Sequence, residues 1–93
     1  MKAIIRQAVD SALQELEIAE VPEYVVEKPK DPRHGDLAVN VAFLLVRTLK
    51  KKPALIAEEI VAALKLDTTY IDKIEVAPNG YINFRISARW SVD

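Results

Sequence analysis

Between Gly80 and Ser87 the chain alternates strictly, with Ile82, Phe84 and Ile86 interleaved by Asn83 and Arg85 and preceded by Tyr81. Residues 71–77 upstream are rich in β-formers, and Pro78-Asn79-Gly80 separates the two runs. That arrangement reads as a β-hairpin. Side chains on a strand point to opposite faces in turn. Ile82, Phe84 and Ile86 therefore share one face, and Tyr81, Asn83 and Arg85 share the other. Loop length decides the register. A two-residue Asn79-Gly80 loop would set Val76 opposite Asn83 and Ile74 opposite Arg85, mixing apolar and polar residues on both faces. A three-residue Pro78-Asn79-Gly80 loop removes the conflict, because proline suits the second position of a type I turn and glycine the left-handed position of a bulge. Val76 then faces Ile82, Ile74 faces Phe84, Glu75 faces Asn83, and Lys73 faces Arg85.

The apolar face of this hairpin is core. The other presents a ring, an amide and a guanidinium in a row. A ring stacks on a nucleobase, an amide reads its edge, and a guanidinium holds a phosphate. The plainer reading stands beside it: tyrosine favours strands for packing reasons alone. Net charge does not favour a protein that grips nucleic acid through bulk charge, since 13 Lys and Arg side chains are balanced by 14 Asp and Glu. Any such contact is local, or assisted by another domain. The charges are nevertheless uneven. Asp10, Glu15, Glu17, Glu20, Glu23 and Glu27 make the first third acidic, whereas Lys28, Lys30, Arg33 and His34 form one basic cluster and Arg47, Lys50, Lys51 and Lys52 another. The second cluster also suits a helix C-terminus, where cations offset the macrodipole.

The remaining elements follow from periodicity. Lys2 to about Ile18 reads as an amphipathic helix with Ile5, Ala8, Val9, Ala12 and Leu16 on its inner face and Leu13 on the flank. Tyr24-Val25-Val26 reads as a short strand, and Pro29 and Pro32 hold 29–33 in a loop. Asp36 is expected to cap a second helix from Leu37 to about Lys50, with Leu37, Val41, Leu44, Leu45 and Thr48 facing inward. Pro53 suits the first turn of a third helix, whose stripe is Ile56, Ile60, Ala63 and Leu64. Three helices covering the apolar face of a small, mostly antiparallel sheet of three to four strands make an α+β two-layer sandwich. A chain of 93 residues is one small domain of this kind. Cysteine is absent, which excludes disulfides and thiolate metal sites. No apolar run is long enough to cross a membrane and no signal-peptide pattern opens the chain, so a cytoplasmic protein is expected.

No catalytic set emerges. His34 is the sole histidine, and Ser11, Ser87 and Ser91 have no obvious base. Asp31, His34 and Asp36 are better explained by a turn and a helix cap than by a metal, and none is expected. Only Gly35 and Gly80 occur, so no glycine-rich phosphate loop exists. In His34-Gly35-Asp36, Gly35 is expected to adopt a backbone angle that a β-carbon disfavours, and His34 either packs the loop or donates to a phosphate beside Arg33.

Three segments now stand in order: His34-Gly35-Asp36-Leu37-Ala38-Val39-Asn40-Val41-Ala42, Lys52-Pro53-Ala54-Leu55-Ile56-Ala57-Glu58-Glu59-Ile60, and Ile74-Glu75-Val76-Ala77-Pro78-Asn79-Gly80-Tyr81-Ile82-Asn83-Phe84. Together they resemble the N-terminal additional domain of arginyl-tRNA synthetases, from the first helix to Ser87. The resemblance implies a domain at residues 1–87 placed ahead of the catalytic core, with 88–93 beginning a linker to a downstream domain. It implies contact with the outer corner of tRNA(Arg) and help in recognising a D-loop nucleotide. The family's glycine-aromatic-x-amide-Phe strand carries that contact and matches Tyr81 and Asn83. Arg85, Lys28, Lys30 and Arg33 are expected phosphate contacts by charge. Gly35, Asp36, Asn40 and Gly80 match the motif and read as structural. The chain lacks the HIGH- and KMSKS-type signatures of the family's catalytic domain, so it is not expected to activate arginine. It carries no cofactor of its own, and ATP and Mg2+ would be used by the parent's catalytic domain, its expected partner besides the tRNA. Met1 reads as a natural start, and the abrupt end favours excision from a longer protein. The competing reading is an interdomain docking module without RNA contact, in which Trp90 and the first helix bind another domain or subunit.

Overall fold

The computed structural model describes residues 2–29, 35–66 and 69–87. In chain order its elements are α1 (Lys2–Glu15), β1 (Val26–Glu27), β2 (Leu37–Val39), α2 (Val41–Leu44), α3 (Val46–Leu49), α4 (Pro53–Ala63), β3 (Ile71–Val76) and β4 (Ile82–Ile86). The strands form one antiparallel sheet in the order β1-β2-β4-β3. Helices α1, α2 and α4 bury its inner face, giving a small α+β domain. Phe84, Ile82 and Val39 from the sheet are sealed against Ile5, Val9 and Leu13 of α1, Val41 and Leu45 of the α2–α3 segment, and Ile56 and Ile60 of α4. No described helix is long and apolar enough to cross a membrane.

The hairpin adopts the three-residue-loop register, with Val76 opposite Ile82, Glu75 opposite Asn83, Ile74 opposite Phe84 and Lys73 opposite Arg85. The turn is closed by the Gly80 N–H donating to the Ala77 carbonyl at 2.9 Å and the Ala77 N–H donating to the Tyr81 carbonyl at 2.8 Å. Further along, Ile71 pairs with Ile86, so Asp72 is an extra residue on β3. This bulge resolves the odd spacing of Ile71 and Ile74, since one additional residue returns Ile71 to the core side.

Three expectations change. The largest concerns 37–50, where a strand and two one-turn helices replace a single capped helix. Asp36 does not cap. Its carboxylate accepts the Ile86 N–H at 2.7 Å, and its own N–H donates to the Phe84 carbonyl at 2.8 Å. These bonds tie the segment to β4, and Leu37, Ala38 and Val39 are all buried beside it. A four-residue spacing such as Leu37 to Val41 suits a helix, but it also fits a strand that leads into one. The helical stretch bends at Leu45 (φ −91°, ψ −1°), whose N–H is shared between the Val41 and Ala42 carbonyls, and Thr48 is exposed rather than inward. The stretch ends where Lys50 enters the left-handed region at φ 53°.

The first strand lies two residues later than expected. Tyr24 leaves the sheet to pack on α1, where its hydroxyl donates to the Asp10 carboxylate and lies 3.1 Å from the Arg6 carbonyl. The Arg6 guanidinium sits 4.8 Å from the Tyr24 ring centroid and donates to the Tyr24 carbonyl. The Val25 N–H finds the Asn40 side-chain oxygen at 2.9 Å instead of a strand partner. Finally, α1 stops at Glu15 because Glu17 is left-handed (φ 59°) and the Ile18 N–H returns to the Leu13 carbonyl, a Schellman closure. Leu16 is consequently exposed and Leu13, expected on the flank, is fully buried.

Candidate functional site

The outer face of the sheet carries the row Glu27, Ala38, Asn83 and Glu75, one residue from each strand at matched register. Ala38 is the low point of that row. A methyl group between longer neighbours leaves a concavity of about 340 Å³, walled by Glu27, Lys28, Pro29, Ala77, Asn79, Tyr81 and Asn83 with Ala38 among its lining residues. Asn83 and Tyr81 are half-buried, each with part of its surface open. A flat ring entering here meets an aromatic side chain, a carboxamide with both donor and acceptor, a carboxylate and an ammonium group.

The position of Tyr81 follows from the turn before it. Gly80 has φ +91°, and an ideal β-carbon on it would lie 2.5 Å from the Pro53 β-carbon. The turn is thus pressed onto the first residue of α4 at a distance only glycine permits. The Asn79 side-chain oxygen accepts the Tyr81 N–H at 3.1 Å. On the far side of β4, Gly35 (φ +120°) lets β2 approach so closely that a β-carbon would sit 2.8 Å from the Phe84 carbonyl oxygen. The central strand is therefore held from the α4 side by Gly80 and from the β2 side by Gly35 and Asp36.

Of the residues expected from the sequence, Tyr81, Asn83 and Lys28 meet around this concavity. Arg85 lies on the same face of β4, exposed and opposite Lys73, but does not line the concavity. Lys30, Arg33 and His34 lie outside the described residues, as do Trp90 and the 88–93 segment. Gly35, Asp36, Asn40 and Gly80 make the backbone contacts described above and do not line the concavity. In the second basic cluster, Lys51 pairs with Glu59 at 2.9 Å and Lys52 precedes the first turn of α4. Among the described residues no three His, Cys, Asp or Glu side chains gather as metal ligands.

Glu27, Ala38, Asn79 and Phe43 escaped the sequence reading. Ala38 and Phe43 were hidden by the helix expected over 37–50, and Glu27 by ending the first strand at Val26. Asn79 was read only as a turn residue. Phe43 projects from α2 with 52% of its surface exposed, and its ring meets that of Tyr81 edge to face at 6.2 Å between centroids and 61° between planes. Beyond it, a second concavity is lined by Phe43, Leu44, Val46, Arg47 and Pro53.

Residues 3–86 match the family described as the Arginyl tRNA synthetase N terminal domain. The chain is 47% identical over 91 residues to an arginine–tRNA ligase of Listeria monocytogenes (serotype 4a, strain HCC23), covering 98% of this chain and 16% of that protein. It is 49% identical over 87 residues to the arginine–tRNA ligase of Aquifex aeolicus, covering 94% of this chain and 15% of the relative. The Thermus thermophilus arginyl-tRNA synthetase structure superposes with a TM-score of 0.79 at 27% identity, over 96% of this chain and 14% of that one. The Plasmodium falciparum arginyl-tRNA synthetase shares the fold, with a TM-score of 0.80 at 17% identity over 96% of this chain and 16% of its own. The chain thus spans about one sixth of the length of the relatives it matches.

Proposed function

The chain belongs to the arginyl-tRNA synthetase N-terminal domain family, and from that membership we propose that it binds tRNA(Arg) through the outer face of its sheet, at the D-loop. One nucleobase enters the concavity beside Ala38 and stacks on the Tyr81 ring. The Asn83 carboxamide reads the base edge, offering a donor and an acceptor from one rigid strand position. Lys28 at the rim and Arg85 further along β4 hold flanking phosphates, with Lys30 and Arg33 contributing further cations. The observation that carries this reading is the convergence of Tyr81, Asn83 and Lys28 on one open concavity. The balanced net charge fits a helper domain whose affinity is supplemented by the rest of the synthetase.

Aminoacylation itself belongs, in this proposal, to the catalytic domain of the same cytoplasmic synthetase, which uses ATP and Mg2+. A second reading, docking of another domain without RNA contact, draws on the exposed Ile4 of α1, which lines a shallow concavity with Gln7, Ser11 and Leu66.

Steady-state aminoacylation by the full synthetase, using tRNA(Arg) with each D-loop nucleotide replaced in turn, tests the proposal. Tyr81→Ala is expected to cost about 1–3 kcal/mol in kcat/KM for tRNA, the range for stacking on one base, with arginine and ATP binding unchanged. It is also expected to abolish discrimination at one D-loop position. An equal loss on every D-loop variant would defeat the base-reading role, and no loss on any tRNA would favour docking.

A further inference from the structure

We propose that Phe43 is a positioning residue for RNA recognition: its ring holds the Tyr81 ring, edge to face, in the orientation that stacks on a base. The inference rests on the base-stacking role of Tyr81 and extends it to a residue on a different element. Phe43 lies in α2 directly after Val41 and Ala42, both of which are fully buried. It remains half exposed and takes no part in the buried cluster beneath the sheet. Its aromatic contact is with Tyr81, at 6.2 Å and 61°. That is the tilted geometry in which the positive edge of one ring meets the negative face of the other.

Tyr81 needs such a partner. Its backbone is fixed by Asn79 and by the hairpin turn, but backbone bonds leave both side-chain torsions free. The ring contact with Phe43 acts on those torsions directly. A ring left free among rotamers must be immobilised on binding, which lowers affinity. Phe43 orders it beforehand. The bend at Leu45 lies two residues beyond Phe43, and Leu45 itself is fully buried, so the platform carrying Phe43 is anchored in the core.

The test is a double-mutant cycle in the full synthetase, read as tRNA(Arg) binding by wild type, Phe43→Leu, Tyr81→Ala and the double variant. Leucine keeps apolar bulk at a half-exposed site and removes only the ring. Phe43→Leu alone is expected to weaken binding about twofold to twelvefold, the fold-change that corresponds to the range for aromatic pairs, and to have no further effect once Tyr81 is alanine. An equal loss on both backgrounds would overturn positioning and make Phe43 a direct contact, and no loss on the wild-type background would overturn it as well. Nuclear magnetic resonance of the ¹³C-labelled Tyr81 ring in the 93-residue chain supplies a readout that does not depend on RNA. Phe43→Leu should move the ring resonances out of the Phe43 ring current, and an unchanged spectrum would overturn the contact. If Tyr81→Ala binds tRNA normally, the stacking reading falls and takes the recognition role of Phe43 with it. A flat cycle with a normal Tyr81→Ala loss sinks the Phe43 inference alone.

Discussion

Replacing Gly80 with alanine should destabilise the domain and misplace Tyr81 in one step. Gly80 sits at φ +91°, where a residue with a β-carbon is strained by about 1–2 kcal/mol. The new methyl would also stand 2.5 Å from the Pro53 β-carbon and 3.0 Å from the Pro53 carbonyl carbon and oxygen. Overpacking of this kind typically costs about 1–3 kcal/mol. The turn carries exposed Pro78 and Asn79, so it yields partly by lifting away from α4. A total near 3 kcal/mol is therefore expected, against a stability of about 5–10 kcal/mol for a domain of this size. With a urea slope of about 1–1.5 kcal/mol per molar, the unfolding midpoint falls by about 2–3 M. Urea titration followed by far-ultraviolet circular dichroism measures this directly, and an unchanged slope ensures that the midpoint reports stability. Gly80→Asn separates the two causes, because asparagine visits the left-handed region more readily but carries the same β-carbon. A smaller loss for asparagine assigns part of the cost to backbone strain; equal losses assign it to the clash with Pro53. A Gly80→Ala midpoint within about 0.3 M of wild type would refute both arguments and with them the claim that the turn is seated on α4.

Two further outcomes are expected. Ala38→Val, a change that suits a strand, raises the floor of the concavity and should weaken tRNA(Arg) binding by the full synthetase while the far-ultraviolet spectrum stays native; undiminished binding would exclude the concavity as the RNA site. Tyr24 provides a pH test, since burial first, and then the hydrogen bond and charge of Asp10, raise its phenol well above the ordinary value near 10, opposed only by Arg6. A group with a raised folded pKa lends stability that is complete below its unfolded pKa and lost above it, so wild type should lose stability more steeply than Tyr24→Phe above about pH 10; parallel denaturation curves through that range would contradict the assignment.

The hairpin was legible because its information is local. A proline-asparagine-glycine turn and a two-residue period over 82–86 leave one register that keeps apolar residues together, and that register is the one observed. Helices α1 and α4 were legible for the same reason, their stripes recurring within a few residues. The segment 36–45 was not. Its strand depends on the Asp36 carboxylate meeting an N–H 50 residues away, and nothing in the neighbourhood of Asp36 distinguishes that partner from the free N–H groups of a helix start. A helix over this segment separates Ala38 from Glu27 and Asn83, and Phe43 from Tyr81. The polar row on β4 does not depend on that segment, because the alternation that defines it lies wholly within the hairpin.

Glu17 and Lys50 close their own helices, but Gly35, Asp36, Asn79, Gly80 and Phe43 act on β4 and its approaches. Gly35 and Asp36 fix Phe84 and Ile86 from the β2 side, Gly80 seats the turn on Pro53, Asn79 bonds the Tyr81 backbone, and Phe43 meets the Tyr81 ring. Alternate positions of the same strand, Ile82 and Phe84, are fully buried in the core. Asn83 on β4 and Tyr81 directly before it therefore stand on backbone held from both sides, where binding has little backbone left to order. In the proposed RNA-binding role, a domain with a balanced net charge gains little from long-range attraction to RNA. What it would offer in that role is a ring and a carboxamide already in place, so that its contribution would depend more on the rigidity of β4 than on the number of contacts made from it.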